Sequence, residues 1–138
     1  APLPPAFDEP AVEIATGEIM YSGPRRRGAP LEIKTRFGTN YYVKAVDASS
    51  GKTHLTAYIQ GGDTLEVKMP VGEYEIKYAT GQVWYGEDHF FGPATSYARA
   101  DAPFYFTRDV EGYSGYTLEL FTSVDGNLEM DDLSPSEF

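Results

Sequence analysis

The chain has 138 residues, 41% of them hydrophobic, which suits one globular domain with a sizeable core. Its formal net charge of −10 disfavours nucleic acid and anionic membrane surfaces as partners. No apolar run reaches the length of about 18 residues that marks a membrane-spanning helix, and the absence of cysteine leaves the redox compartment open. With 11 Tyr, 8 Phe and no run of helical periodicity, the composition favours an all-β fold.

The acidic residues are concentrated at the two ends of the sequence. Residues 1–24 and 109–138 contain acidic but no basic side chains, whereas all 11 basic residues lie within residues 25–108. Two interpretations remain open. The acidic ends could simply keep the protein soluble. Alternatively, an acidic end of one copy could meet the less acidic middle of a neighbouring copy.

Residues 1–30 are predicted to form an extended N-terminal arm. The prolines in residues 1–10 prevent a helix, residues 11–21 follow as a candidate strand with a break at Gly17, and a Gly- and Pro-rich linker ends the arm. The sequence Ala-Pro-Leu-Pro-Pro at the start fits an N-terminus left by signal-peptide removal, so we expect a secreted or cell-surface protein. The side chains expected to contact a neighbour are Val12, Ile14, Ile19, Tyr21, Arg25, Arg26 and Arg27.

Residues 31–138 are predicted to form a single antiparallel β-sandwich of about seven or eight strands, because short alternating segments are separated by turn residues. In the third of these strands, the alternation places Leu55, Ala57 and Ile59 on one face and His54 on the opposite, outward face. The strands are predicted to begin at Leu31 and then to cover residues 41–47, 53–60, 64–69, 74–78, 103–107 and 113–123, with a last short strand near residues 128–130.

The clearest pattern lies in residues 61–85, where two alternating segments flank a turn at Pro70-Val71-Gly72. Proline fixes φ and glycine permits positive φ at such a turn. The two flanking strands are therefore predicted to pair as a hairpin.

Residues 43–81 contain an ordered series of turn motifs, namely Val46-Asp47, Ser50-Gly51-Lys52, Gly61-Gly62, Pro70-Val71-Gly72-Glu73-Tyr74 and Tyr78. Their order resembles that of the prealbumin-like sandwiches, the transthyretin-like, carboxypeptidase-regulatory-like and Cna-B-like domains. The resemblance implies a mostly non-catalytic domain, such as an adhesin stalk, a pilin-like subunit or a carbohydrate-associated module. The rest of the chain looks like part of a family of exported bacterial proteins.

The best candidate for acid–base chemistry or metal binding is Glu87-Asp88-His89. Consecutive residues of an extended segment point in different directions, however, and metal sites usually take ligands from more than one element. The only other histidine is His54. We therefore expect solvated loop residues here, with no catalytic residue, metal or cofactor.

An aromatic loop follows the hairpin and contains Trp84, Tyr85, Phe90 and Phe91. If these rings are exposed, they could stack on sugars or anchor a protein interface. They could equally plug one end of the sandwich core.

Three functions follow from these features. The first is a structural subunit of an extracellular or cell-surface assembly, filament or pilus-like, whose arm adds a strand to the neighbouring copy, so that the partner is another copy of the chain. The alternative is a monomeric secreted module that binds carbohydrate or protein through the aromatic loop. The third, ranked last, is an enzyme or metal-dependent protein.

Overall fold

The computed structural model describes residues 9–100, 102–120, 130–134 and 137–138, and the fold that they form is all-β. The described residues contain one short 3₁₀ turn and no α-helix, and thus no helix that could cross a membrane. The strands are β1 (Gly17–Tyr21), β2 (Ala29–Thr35), β3 (Asn40–Asp47), β4 (Thr53–Ile59), β5 (Thr64–Met69), β6 (Gly72–Gly81), β7 (Ser96–Ala100), β8 (Phe104–Asp109), β9 (Gly112–Ser114), β10 (Tyr116–Leu120) and β11 (Met130–Leu133).

Two sheets form the β-sandwich that the sequence predicts. Sheet A has the strand order β1-β4-β3-β6-β7-β11. The strand β8 pairs with the N-terminal end of β6, and β9 pairs with β8. All pairs in this sheet are antiparallel. Sheet B has the order β10-β2-β5. Its β10–β2 pair is parallel, so one ladder departs from the expected antiparallel arrangement.

The predicted hairpin in residues 61–85 is wrong. The strand β5 pairs with β2 in sheet B, whereas β6 pairs with β3, β7 and β8 in sheet A. The turn at Pro70-Val71-Gly72 therefore carries the chain from one sheet to the other. A period of two predicts that each strand has one buried face, and it is equally compatible with two strands that face each other across a core.

Both faces of sheet A bury hydrophobic side chains. The inner core lies between the two sheets, and its members include Leu31 and Ile33 of sheet B together with Val43, Ile76 and Phe106 of sheet A. The opposite face of sheet A carries a second group, which we call the outer aromatic cluster. Its buried members are Tyr42, Tyr58, Ala79, Trp84 and Phe91, and its partly buried members are Ile14, Ile19, Phe90, Tyr97 and Phe138.

The segment predicted as an arm lies on the sheet of its own chain. The strand β1 pairs with β4 and forms one edge of sheet A, and residues 22–28 connect it to β2, which begins at Ala29. In this ladder Glu18 lies opposite Ala57 and Met20 lies opposite Thr56, so Ile19 is an extra, bulged residue. The predicted turn at residues 125–127 lies outside the described residues.

Candidate functional site

The outer aromatic cluster begins with consecutive buried residues on β3. The exposed fractions of Tyr41, Tyr42 and Val43 are 1%, 2% and 1%, so both faces of this strand are covered. The side chains of Tyr41 and Val43 join the inner core, whereas the ring of Tyr42 points to the opposite face. A strand buried on both faces has a continuous run of apolar or aromatic residues, and this run is the sequence signal for the second cluster.

The loop of residues 84–91 brings its aromatic rings onto this face by a tight backbone turn. The amide of Tyr85 donates to the carbonyl of Phe90 at 2.8 Å, and the amide of Phe90 donates to the carbonyl of Gly86 at 2.7 Å. Phe90 has φ = 53°, a left-handed conformation that a bulky side chain rarely adopts. Such a conformation costs about 1–3 kcal/mol and persists only where the surrounding structure imposes it.

Two of the four predicted loop aromatics are buried rather than available to a ligand. Trp84 is 4% exposed and stacks on Tyr42 with ring centroids 5.2 Å apart, and Phe91 is also 4% exposed. Tyr85 and Phe90 are partly buried. A sugar could therefore stack on Trp84 or Phe91 only if the loop opened.

Two titratable side chains, Tyr42 and Lys44, contact the aromatic rings on this face of sheet A. The hydroxyl of Tyr42 donates to a carboxylate oxygen of Glu87 at 2.8 Å. Burial is the main cause that raises the pKa of Tyr42 well above its ordinary value, and the hydrogen bond with Glu87 is the second. The neighbouring Lys44 is covered by the rings of Phe90 and Phe138, and burial lowers the pKa of its amine, with a further contribution from Lys77. The cluster thus carries a tyrosine and a lysine that both favour their neutral forms more than they would in water.

The arm residues cover the edge of the same cluster. The amide of Val12 donates to the carbonyl of Trp84 at 2.8 Å, although the Val12 side chain is 45% exposed. Ile14 and Ile19 pack against the outer cluster, whereas Tyr21 packs against the inner core. The bulge in β1 explains why Ile19 and Tyr21, two positions apart, contact different faces of sheet A.

The three predicted arginines have different surroundings. Arg27 forms an ion pair with Glu18 on β1 at 2.5 Å, and its guanidinium lies 3.8 Å from the centre of the Tyr21 ring. Arg25 and Arg26 are exposed. Arg27 therefore fastens the linker to β1 of its own chain, where it pairs with an acidic residue of the arm.

The alternation predicts His54 on the outward face of β4, and this prediction is wrong, because the side chain is buried. In the β3–β4 ladder Leu55 lies opposite Ala45 and Thr53 lies opposite Val46, which leaves His54 as a bulged residue. The bulge turns its ring inward, where Nδ1 lies 2.8 Å from the hydroxyl of Tyr74.

The neighbours of His54 form a short polar chain at this end of sheet A. Its Nε2 lies 4.0 Å from a carboxylate oxygen of Asp47, which accepts hydrogen bonds from the hydroxyls of Ser49 and Ser50. These hydrogen bonds lower the pKa of Asp47, and the bond from Ser50 makes the largest contribution. Burial raises the pKa of Tyr74 to about 12. The chain joins the β3–β4 loop to the inner core, and we assign it a structural role.

The residues Glu87, Asp88 and His89 do not converge on a common point. Glu87 accepts from Tyr42, and the Nε2 atom of His89 lies 3.8 Å from a carboxylate of Glu9 on the arm. Within the described ranges, no group of three or more His, Asp or Glu side chains is arranged to hold a metal ion. The geometry of this triplet therefore links the loop to β3 and to the arm.

The sequence-based prediction of the site omits the cluster members Tyr42, Tyr58, Ala79, Tyr97 and Phe138, and also Lys44, whose amine lies over the Phe138 ring. Comparison of the chain with family models, curated proteins and solved structures gave no match. The resemblance to prealbumin-like sandwiches therefore stays a prediction, and the functional argument depends on the geometry of this chain.

Proposed function

We propose that this protein is a non-enzymatic structural subunit of an extracellular or cell-surface assembly in which the arm of one copy adds a strand to the next copy. The observation that best supports the proposal is the position of β1 at the edge of sheet A, next to β4. Residues 22–28, which contain no strand, connect β1 to the sandwich. Location outside the cell is part of the proposal, and fractionation of producing cells tests it.

Exchange of the arm between copies preserves its native contacts. A neighbour's β1 would form the same ladder with β4 and would pack Ile14 and Ile19 against the same cluster. The closed and exchanged forms therefore differ mainly in linker conformation and in the entropy of association. Each copy would give its arm to one neighbour and receive an arm from another. Such a heterologous contact does not close on itself unless the rotation allows a ring, so it generates filaments.

The test uses the cysteine-free sequence as a background for disulfide trapping. Met20 and Thr56 lie opposite each other in the β1–β4 ladder, where Cα atoms of antiparallel partners are about 4.5–5.5 Å apart, within the range that a disulfide spans. One chain carries Met20→Cys and a second carries Thr56→Cys. The two are mixed at high concentration and then oxidised. Exchange predicts a covalent heterodimer on a non-reducing gel.

The matched control replaces Thr56→Cys by Val110→Cys, because Val110 is fully exposed in the turn between β8 and β9. This mixture should give only the background of random cross-links. A chain that carries both Met20→Cys and Thr56→Cys reports the closed form through an internal disulfide. The proposal fails if the double variant closes internally while the mixed single variants stay monomeric at every concentration tested.

Linker length provides a second test of the same exchange. Deletion of Arg25 and Arg26 shortens the connection, which should strain the closed form and increase the assembled fraction in light scattering. Insertion of a Gly-Ser repeat at the same place should favour the monomer. The same insertion between Val110 and Glu111, in the exposed β8–β9 turn, is the control and should leave the assembled fraction unchanged.

A further inference from the structure

The side chain of Phe138 occupies an aromatic socket on the outer face of sheet A. Its ring centroid lies 5.1 Å from that of Tyr97, 5.4 Å from that of Phe90 and 6.1 Å from that of Tyr42. The contact with Phe90 is perpendicular, an edge-to-face arrangement that adds to the gain from burial. The socket therefore selects a planar aromatic side chain by shape and by ring electrostatics.

Two lysines complete the socket and hold the backbone of the same segment. The amine of Lys44 lies 4.1 Å from the centre of the Phe138 ring and donates to the main-chain oxygen of Phe138 at 3.0 Å. Lys77 donates to the main-chain oxygen of Glu137 at 2.9 Å. These contacts recognise an aromatic residue together with the two successive backbone oxygens, whatever chain supplies them.

The wall of the socket stores backbone strain. Phe90 adopts φ = 53° and directs its ring at Phe138, Tyr42 and Tyr97. Bulky residues adopt this conformation only where the surrounding structure imposes it, most often at binding or switching sites. The tight loop thus builds one wall of a site for an aromatic ring.

We propose that this socket, formed by Tyr42, Lys44, Lys77, Phe90 and Tyr97, is a peptide-binding site that takes Glu137 and Phe138 of a second copy of the chain. Glu137 and Phe138 of the chain itself fill the site in cis, and the same two residues of a neighbour make the same contacts in trans. The binding does not depend on exchange of β1, which uses the ladder with β4 at the other edge of sheet A.

The first experiment adds a synthetic peptide with the sequence of residues 134–138 to the full-length Phe138→Ala variant. Removal of the ring frees the socket, so the peptide should bind this variant, and calorimetry measures the affinity. Its affinity for the unmodified chain should be at least about tenfold lower, because residues 137–138 of the same chain compete for the socket at a high effective concentration. The control protein is Phe37→Ala, since Phe37 is 90% exposed in the β2–β3 loop, and it should behave like the unmodified chain. A peptide of the same composition in scrambled order should not bind.

The second experiment adds changes in the socket to the Phe138→Ala variant. Lys44→Met keeps the aliphatic stem and removes the charge, and Phe90→Ala removes the strained wall. Each should weaken peptide binding at least tenfold. Lys52→Met, in the exposed β3–β4 loop, should leave binding unchanged. If Phe138→Ala unfolds, Phe138→Leu provides the same measurement with the core volume largely kept.

Three results would overturn the proposal. The peptide could fail to bind the Phe138 variants at millimolar concentration. It could bind the unmodified chain as tightly as the variants, which would indicate a different site. Binding could also survive both Lys44→Met and Phe90→Ala. None of these results bears on the disulfide-trapping test of arm exchange, so the two proposals stand or fall separately.

Discussion

The inner core and the outer aromatic cluster are both buried, but they are built differently. The inner core takes its side chains from alternating positions of strands in both sheets, and ladder hydrogen bonds fix each strand. The outer cluster takes Ile19, Tyr42, Tyr58, Ala79 and Tyr97 from strands of sheet A. Its cover consists of the loop of residues 84–91, the arm and residues 137–138.

Because of this difference, we expect the outer cluster to open more easily than the inner core. Opening the inner core requires the two sheets to separate, whereas opening the outer cluster requires only the loop of residues 84–91 or residues 137–138 to leave the sheet. Segments with few backbone bonds and few buried contacts open at a lower free energy than ladder strands. The proposed assembly and peptide binding would therefore use the outer face of sheet A, whereas global stability depends on the core between the sheets. The following predictions test that division, beginning with the largest expected effect.

Removing a ring from the inner core should destabilise the whole molecule. Phe106 is 1% exposed and packs edge-to-face on Tyr74 and Tyr116. Phe106→Ala leaves a cavity, so the free energy of unfolding should fall by about 3–5 kcal/mol. Urea denaturation followed by circular dichroism measures the loss. Phe37→Ala, which changes an exposed ring, should stay within about 0.5 kcal/mol of the unmodified chain. Equal effects of the two substitutions would contradict the assigned packing.

Overpacking the outer cluster should have a smaller and more local effect. A Cβ at Gly81 would overlap the side chain of Phe91, so Gly81→Ala must displace the aromatic loop. We expect a loss of about 1–3 kcal/mol. The fluorescence of Trp84, the single tryptophan, should also shift to the red in the native state. A Cβ at Gly17 meets open space, so Gly17→Ala is the control and should leave the spectrum unchanged. An unshifted spectrum for Gly81→Ala would show that the loop packs elsewhere.

Alkaline pH should weaken the inner core through its tyrosines. Burial, with a smaller contribution from Tyr78, raises the pKa of Tyr41 to about 12 from an ordinary value of 10.0. Above pH 10 the unfolded chain releases this proton and the folded chain retains it, so stability falls as the pH rises towards 12. At pH 12, Tyr41→Phe should reduce the loss in the free energy of unfolding by about 2 kcal/mol. At pH 7 both forms of the chain keep the tyrosine proton, so this contribution should be zero. Urea titrations at both values measure the difference. An unchanged alkaline slope would mean that Tyr41 is solvated.

The smallest effect should come from the fastening of the arm. The ion pair of Arg27 with Glu18 is partly exposed, so Arg27→Ala should cost less than about 1 kcal/mol of global stability. Hydrogen exchange of the β1 amides should nevertheless accelerate, because Arg27 also covers the ring of Tyr21. Arg26→Ala, at an exposed position, should leave exchange unchanged. Equal exchange rates in the two variants would show that Arg27 does not hold the arm.

The sequence predicted most strands but few of their partners. Alternating residues located β3, β4, β5 and β6 closely, because each strand buries one face or both. The strand β7 was missed, since it follows an irregular loop and carries the mixed sequence Ser-Tyr-Ala-Arg-Ala. The inward turn of His54 was also missed, because one extra residue in a ladder reverses the face and has no signature in composition.

The candidate site was predictable only in part. The aromatic loop stands out in the sequence, but Trp84 and Phe91 turned out to be buried. The contributions of Lys44, Tyr97 and Phe138 depend on contacts between residues far apart in the chain, up to 94 positions for Lys44 and Phe138. No local pattern encodes such a pairing.

The amino-acid sequence by itself determined the all-β class and which side chains of most strands are buried, because both depend on a local period of two. Only the tertiary structure decided that β5 and β6 belong to different sheets, that β1 lies on its own chain and that sheet A is covered on both faces. These outcomes depend on the total apolar area that each arrangement buries. That quantity is a property of the whole chain and not of any segment.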